Sequence, residues 1–410
     1  MTTKGTKEQG LNNCHFKLSV PLNKKIISFA SLNSIMVCSL FALLGCNPTA
    51  NSANDQTASS ATAASQTTNS STSATISSAT ISSATTANHA SQPNPTPVNL
   101  NHLTLYTSVD KAALAPLLND FQQQQGVTVT VVNDAPMSIL ARLKAEGSNS
   151  PADMIVTEDV GVFHQATEAA LLQPFSSDTA IVNVPARYRD PDGNWLALSA
   201  YARTTVYDSR LMTNKDISSY GDLAKPKWFQ KLCLSQATFI PNQSLVVNLI
   251  NNLGDKKAQE VLTGWVANLS MPVVLDDNAV MQAIDTGKCQ IGLVNSQTYA
   301  NYLQKNPQTA VKLAWVNKGY GGVSTNVIAA AIPKTAKNPQ LALTLIEWLS
   351  SKDHQTLFAS LSNTYPVNQN AQPSVLLKSW DDFEASQIAV TQYAEKQKIA
   401  LKAMNDAGWQ

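Results

Sequence analysis

Beyond residue 100 the chain alternates short apolar runs with amphipathic stretches. Residues 103–106, Leu-Thr-Leu-Tyr, alternate as a strand does. Leu114, Leu117, Leu118 and Phe121 then recur at i, i+3, i+4 and i+7, one face of a helix. Gly126 stops it, and residues 127–132, Val-Thr-Val-Thr-Val-Val, are β-branched throughout. The pattern goes on to predict a helix near 137–146, a strand at 153–156 and a helix at 160–170. This β-α-β-α-β-α order predicts a parallel sheet covered on both faces. Residues 195–207 form a long extended stretch. A strand at 231–234, helices near 243–252 and 256–269, a strand at 273–275, a helix at 279–285 and a strand at 290–294 follow. A second extended segment, 323–332, leads to a helix at 339–349 and a helical C-terminus. Two extended segments flanking a second α/β unit predict an α/β chain of two lobes joined by two crossover strands. Lobe 1 would be residues 100–202 with 323–410, and lobe 2 residues 203–322. Ligands bind outside the carboxyl ends of such strands. The loops 107–111, 157–159, 200–203, 236–243, 276–278 and 295–299 would therefore face one cleft.

The N-terminus reads differently. Lys24 and Lys25 precede an apolar run, 26–44, that ends Leu43-Leu44-Gly45-Cys46. A basic flank, an apolar centre and small residues make an export signal over 1–45. The last four residues resemble the bacterial lipobox, whose cysteine carries lipid; the alternative is a membrane anchor, since the run is just long enough to span. Residues 46–99 are Ser, Thr, Ala and Asn, with Ile76-Ser-Ser-Ala-Thr80 repeated at 81–85 and a proline-rich end. Such a tract buries no core and reads as a tether. As a flexible coil of ~50 residues it would reach about 40 Å. The globular part is thus expected outside the cytoplasm, on the periplasmic side or the cell surface, leashed through Cys46.

Composition narrows the chemistry. A net charge of +1 and 14 % charged residues give no basis for nucleic-acid binding. Of five cysteines, Cys14 and Cys38 fall in the leader, leaving Cys233 and Cys289 for one disulfide or two separate buried thiols. No serine-hydrolase elbow, phosphate loop, dinucleotide fingerprint or zinc helix occurs. The histidines at 102, 164 and 354 form no triad or metal pattern, and His164 suits a solvated helix face. Asp110 and Glu158 both follow strands; a hydrolytic carboxylate pair is one reading, ligand binding or helix capping the more ordinary one. An enzyme is not expected, nor a cofactor.

The segments "LTLYTS" (103–108), "LKAEGSNSPADMIVTEDVG" (143–161), "EAALLQPF" (168–175), "GDLAKPKW" (221–228), "KLCL" (231–234), "NQSLV" (242–246), "GKCQIGLVN" (287–295) and "AKNPQLALTLIEWLSSKDHQTLFA" (336–359) occur in this order. Together they resemble the ferric-ion-binding periplasmic proteins, the receptors of iron ABC importers, over nearly all of 101–370. The resemblance implies a type II periplasmic-binding fold, monomeric, that closes on its ligand and docks on an ABC permease. It also supports pairing of Cys233 with Cys289. Members hold Fe³⁺, as cargo and not cofactor and often with an accompanying anion, through two adjacent tyrosines after a Val-Asn-x turn. The hard, highly charged ion favours anionic oxygens. Here that turn reads Val294-Asn295-Ser296, and Gln297 and Thr298 stand in place of the tyrosines. Tyr299 follows one residue later, about 100° around a helix.

Elsewhere the resemblance maps Asp110, beside Lys111, onto a common histidine. Glu158 matches a glutamate ligand, Tyr201 falls near a third tyrosine, and Asn295 and Asn278 match contacts to the anion. Two readings stay open. The chain binds ferric iron, free or as a chelate, with Glu158, Tyr201 and Tyr299 as metal ligands. Or the cleft takes another small solute, such as a phosphonate or an amine, with amides and hydroxyls as partners and Asp110, Glu158, Lys111 and Arg203 as charges. A lipoprotein that no longer transports is the further alternative. Capping would equally account for one of Asn295 to Thr298, packing for Tyr299 and Tyr302, and a structural ion pair for Arg203.

Overall fold

The structure, a computed structural model, describes residues 99–316, 319 and 321–410. The signal segment, Cys46 and the tether up to Val98 lie outside the described residues. The chain opens with β1 (His102–Thr107), α1 (Lys111–Gln125), β2 (Thr128–Asn133), α2 (Pro136–Glu146), β3 (Met154–Glu158) and α3 (Val160–Glu168). β1 pairs in parallel with β2 and with β3, as the alternation predicts. Asp110 caps α1 by accepting from the Ala112 N–H at 2.8 Å, and Gly126 ends it with φ 66°, a backbone that favours glycine. The four residues of the apolar stripe, Leu114, Leu117, Leu118 and Phe121, are buried.

The short β4 (Leu172–Gln173) and α4 (Asp178–Asn183) lead into β5 (Trp195–Asp208). Then come β6 (Leu232–Cys233), α5 (Ile240–Leu253), α6 (Asp255–Ala267), α7 (Asp277–Asp285), β7 (Ile291–Asn295), α8 (Ser296–Lys305) and β8 (Val311–Ala314). β9 (Ser324–Pro333) returns to the first lobe. After it lie α9 (Pro339–Ser350), α10 (Lys352–Leu361), β10 (Tyr365–Pro366), α11 (Val375–Lys378), α12 (Thr391–Glu395) and α13 (Gln397–Asp406).

The strand order is β2-β1-β3-β9-β5-β7-β6. β5 and β9 are the two crossovers, paired antiparallel from Trp195 opposite Ala331 to Arg203 opposite Ser324. All fourteen residues of β5 and all ten of β9 are buried, which is why neither shows a two-residue alternation. Because β5 and β9 run in opposite senses, β9 is antiparallel to β3, and β7 is antiparallel to β5. The sheet is therefore mixed, a correction to the parallel sheet expected. The strand expected at 273–275 is also absent; Val274 makes only an isolated bridge with Ser235, and Pro272 beside it has no N–H to extend a ladder.

Cys233 on β6 and Cys289 before β7 are disulfide-bonded, Cα to Cα 5.9 Å. The bridge closes a loop spanning 56 residues of sequence. Such a loop stabilises by about 4 kcal/mol through the unfolded chain. The C233A/C289A double variant should unfold at lower urea, with a loss of about 2–4 kcal/mol. An unchanged midpoint would show that this bridge adds nothing to stability.

Candidate functional site

Strand ends and helix starts converge at the junction of the two crossovers. On β5 the side chains of Ser199, Tyr201 and Arg203 share one face, two residues apart. Glu158 ends β3, and Asp159 turns the chain into α3. Asn242 and Ser244 come from the first turns of α5, Asp277 from the start of α7. Asn295 and Gln297 straddle the β7–α8 junction, and Asn326 sits on β9.

Arg203 is almost fully buried; both terminal nitrogens are engaged, while its Nε has no hydrogen-bond partner. Its two terminal nitrogens donate to the Asp277 carboxylate at 3.0 and 3.1 Å. They also donate to Asn295 Oδ1 at 2.8 Å and Asn242 Oδ1 at 2.5 Å. Asp277 in turn accepts the Asn295 N–H at 2.7 Å. This bidentate pair consumes the guanidinium, so Arg203 and Asn295 act as framework here.

Asp159 has φ 71°, an uncommon backbone for a residue with a side chain, costing on the order of 1–3 kcal/mol. Its carboxylate accepts from the Gly161 N–H at 2.9 Å and lies 3.2 Å, at both oxygens, from the donating Ser244 hydroxyl. Ser108 Oγ accepts the Glu158 N–H at 3.1 Å, tying β1 to this turn. The Gln297 side chain acts on Glu158 in favour of its charged form.

The charges do not balance. Glu158, Asp159 and Asp277 act on one another, and Arg203 is the cation that pairs with Asp277 and acts on Asp159. Burial, then the charges of Asp159 and Asp277, pushes Glu158 up to about 7. Burial lifts Asp159 to about 6, against the Gly161 N–H and Ser244 hydroxyl bonds and the Arg203 charge that oppose it. The Tyr201 hydroxyl is held well above its usual range by burial and by the two carboxylates. Tyr201 Oη, Ser199 Oγ, Gln297 Oε1 and Asn326 Nδ2 are buried with no hydrogen-bond partner. Buried polar atoms are normally satisfied, and several unsatisfied together mark a place for a polar ligand.

Of the residues expected at a site, the structure brings together Glu158, Tyr201, Arg203, Asn295 and Gln297. Asp110 is an exposed helix cap. Asn278 is exposed on α7, and its neighbour Asp277 turns inward instead. Thr298 is partly buried. Tyr299 packs: its hydroxyl donates to the Val311 carbonyl at 3.3 Å and its ring lies 5.5 Å from Trp380. Among the described residues no three His, Cys, Asp or Glu side chains are grouped so as to hold a metal ion. Asp159, Asn242 and Asp277 lie in loops that the sequence places at the cleft, although none of them was singled out there; Ser244 and Asn326 lie outside those loops.

The raised carboxylates set a pH dependence. Glu158 moves from 4.5 to about 7 and Asp159 from 3.8 to about 6 on folding. Between about pH 4 and 7 the folded chain holds protons that the unfolded chain has released. Stability from this source is full below that window and lost as pH rises through it. The lowered Asp222, near 2, acts in the opposite sense and only in stronger acid. The Glu158 share is on the order of 1–3 kcal/mol, allowing for its partial exposure. Urea midpoints at pH 5 and 7.5 should therefore differ less in Glu158→Gln than in the parent chain. Equal differences would contradict the assignment.

Comparisons with known proteins agree with this architecture. The family model for bacterial extracellular solute-binding proteins matches residues 116–385. Iron uptake protein A1 of Synechocystis sp. is 28% identical over 320 residues, 77% of this chain and 89% of that protein. A solved IdiA/FutA protein of Trichodesmium, in complex with iron and citrate ligands, superposes with TM-score 0.71 at 30% identity, covering 75% of this chain and 100% of that one. Ferric iron-binding protein A of Mannheimia haemolytica in an open conformation superposes with TM-score 0.70 at 28% identity, covering 75% and 99%. The fold is that of the type II periplasmic binding proteins. The chain belongs to the bacterial extracellular solute-binding proteins, non-enzymatic components of transport.

Proposed function

We propose that this chain is the solute receptor of an ABC importer and that its cargo is cationic: ferric iron, carried as a chelate. One observation carries the reading. The unpartnered Tyr201 hydroxyl sits beside Glu158 and Asp159 in a buried setting whose only cation, Arg203, is neutralised by Asp277. A cation there offsets the excess negative charge and lets the phenol ionise. Fe³⁺ prefers such oxygens. Relatives named for iron uptake and ferric iron binding support the metal. Gln297 and Thr298 offer no anionic oxygen, so the protein alone supplies few ligands and a chelator completes the set; the Trichodesmium relative holds iron together with citrate.

The receptor works by closure. The Ser244–Asp159 bond joins residues of the two proposed lobes, which supports reading this arrangement as the closed one. Residues 100–202 with 323–410 would move against residues 203–322 about β5 and β9. The closed monomer then docks on the permease. Cys46 would carry the lipid after removal of residues 1–45, with residues 46–99 as leash and the receptor outside the cytoplasm. A Cys46→Ser chain should leave the membrane fraction; retention would refute the anchor.

Titrating the purified chain with ferric citrate should produce a visible phenolate charge-transfer band. Tyr201→Phe should abolish the band and weaken binding by at least about tenfold, equivalent to 1.4 kcal/mol. Neither colour nor bound iron would exclude iron as cargo. Gln297 Oε1, a neutral acceptor without a partner, would then favour an ammonium cation, measurable by calorimetry with a series of amines.

A further inference from the structure

We propose that the C-terminal segment, from α12 to Gln410, is a strap that latches the closed cleft, with Gln397 as its positioning residue. The strap ends in a firm anchor. Trp409 is fully buried, its Nε1 donates to the Ser235 carbonyl at 2.8 Å, and its ring meets Trp265 edge-on at 5.9 Å. The Gln410 carbonyl accepts the Ala237 N–H at 3.1 Å. This holds the loop that leads into α5. Asn242 binds the same loop through the Ser235 and Gln236 carbonyls, at 3.1 and 2.9 Å, and passes its Oδ1 to Arg203. Further back, α13 packs on α5 and α6, and the Lys396 ammonium donates to Asn251 on α5.

The same segment reaches across to α3. α12 packs on both α3 and α5. Gln397, 6 % exposed, lies against Gly161, and its Oε1 accepts from Gln165 Nε2 at 3.3 Å. A Cβ at position 161 would come within 1.6 Å of Gln397 Nε2 and 2.6 Å of its carboxamide carbon. Glycine within a helix costs about 1 kcal/mol relative to alanine. At 161 its absent side chain is the room that Gln397 occupies. The Gly161 N–H is also the donor that fixes the Asp159 carboxylate. One strap therefore grips the first turn of α3 and the approach to α5, the two elements that Ser244 and Asp159 bridge. Because the strap holds both sides of the proposed cleft, opening must break one of its two holds, the Gln397 contact with α3 or the Trp409 anchor beside α5 and α6.

The inference rests on the proposed closure, not on the cargo, and its test needs no ligand. Hydrogen exchange is measured on the full apo chain, for the parent, Gly161→Ala and Gly161→Ala/Gln397→Ala. Gly161→Ala should speed exchange at residues 159–168 and 391–398 by at least about tenfold, although alanine favours the helix more than glycine does. The double variant, in which the new methyl fills the space vacated by Gln397, should regain parental protection. Ferric citrate affinity should follow the same order. Undisturbed exchange in Gly161→Ala, a double variant no better protected than the single one, or loosening spread evenly over the chain would each overturn the latch. Failure of the parent chain to bind ferric citrate would refute only the cargo.

Discussion

The Arg203–Asp277 pair is the constraint on which the site depends. It joins β5 to α7, and its side bonds gather β7 through Asn295 and α5 through Asn242. Four elements distant in sequence are thereby fixed by one guanidinium. A buried ion pair adds little net stability against an apolar replacement, but removing one partner leaves a costly unpaired charge. Its value here lies in geometry and in electrostatics. By neutralising Arg203 internally, Asp277 leaves Glu158 and Asp159 without a compensating cation. The chain thus contains a positive side chain at its cleft and still presents a negative one.

Burial raises both carboxylates and the Tyr201 hydroxyl, and that imbalance adds to the rise at Glu158 and Tyr201. Two buried acids beside a phenol favour their neutral forms until a cation arrives. The protons they hold when apo are those that a cation would displace. Binding and proton release are then two sides of one equilibrium, set by burial and not by any special residue.

The sequence made the scaffold legible and the inside of the site only partly so. Apolar stripes such as Leu114 to Phe121 and β-branched runs such as 127–132 report burial directly, because each position answers to one local face. Strand direction does not: nothing in 323–332 says that β9 returns antiparallel beside β3, so a mixed sheet read as a parallel one. Glu158 and Tyr201 were found because they end or lie on recognisable strands. Asp159 and Asp277 both look like ordinary helix-start residues; Asp159 is a cap, whereas Asp276 caps α7, and the work Asp159 and Asp277 do at the site depends on partners 85 and 74 residues away. Asn278 and Asp277 differ by one residue, and one residue of helix rotation decides which points inward. Two such steps, about 200°, send Tyr299 into the packing around Trp380 while Gln297 faces the Glu158 side.

Asp159 brings these threads to one group. It caps α3, receives Ser244 from the opposite lobe and raises the acid beside it, all from a strained backbone. Strain at a turn persists only where the surroundings over-determine it. Here the surroundings include α5 across the cleft and Gln397 pressed against the next turn. Were the Ser244 bond lost as water entered, the carboxylate would lose one of the bonds that oppose its protonation, but burial, the larger cause of its raised pKa, would be relieved at the same time. Exposure therefore favours the charged carboxylate and lowers its affinity for a proton. Release of a cation from such a site rests on pulling its oxygen ligands apart, not on protonating them.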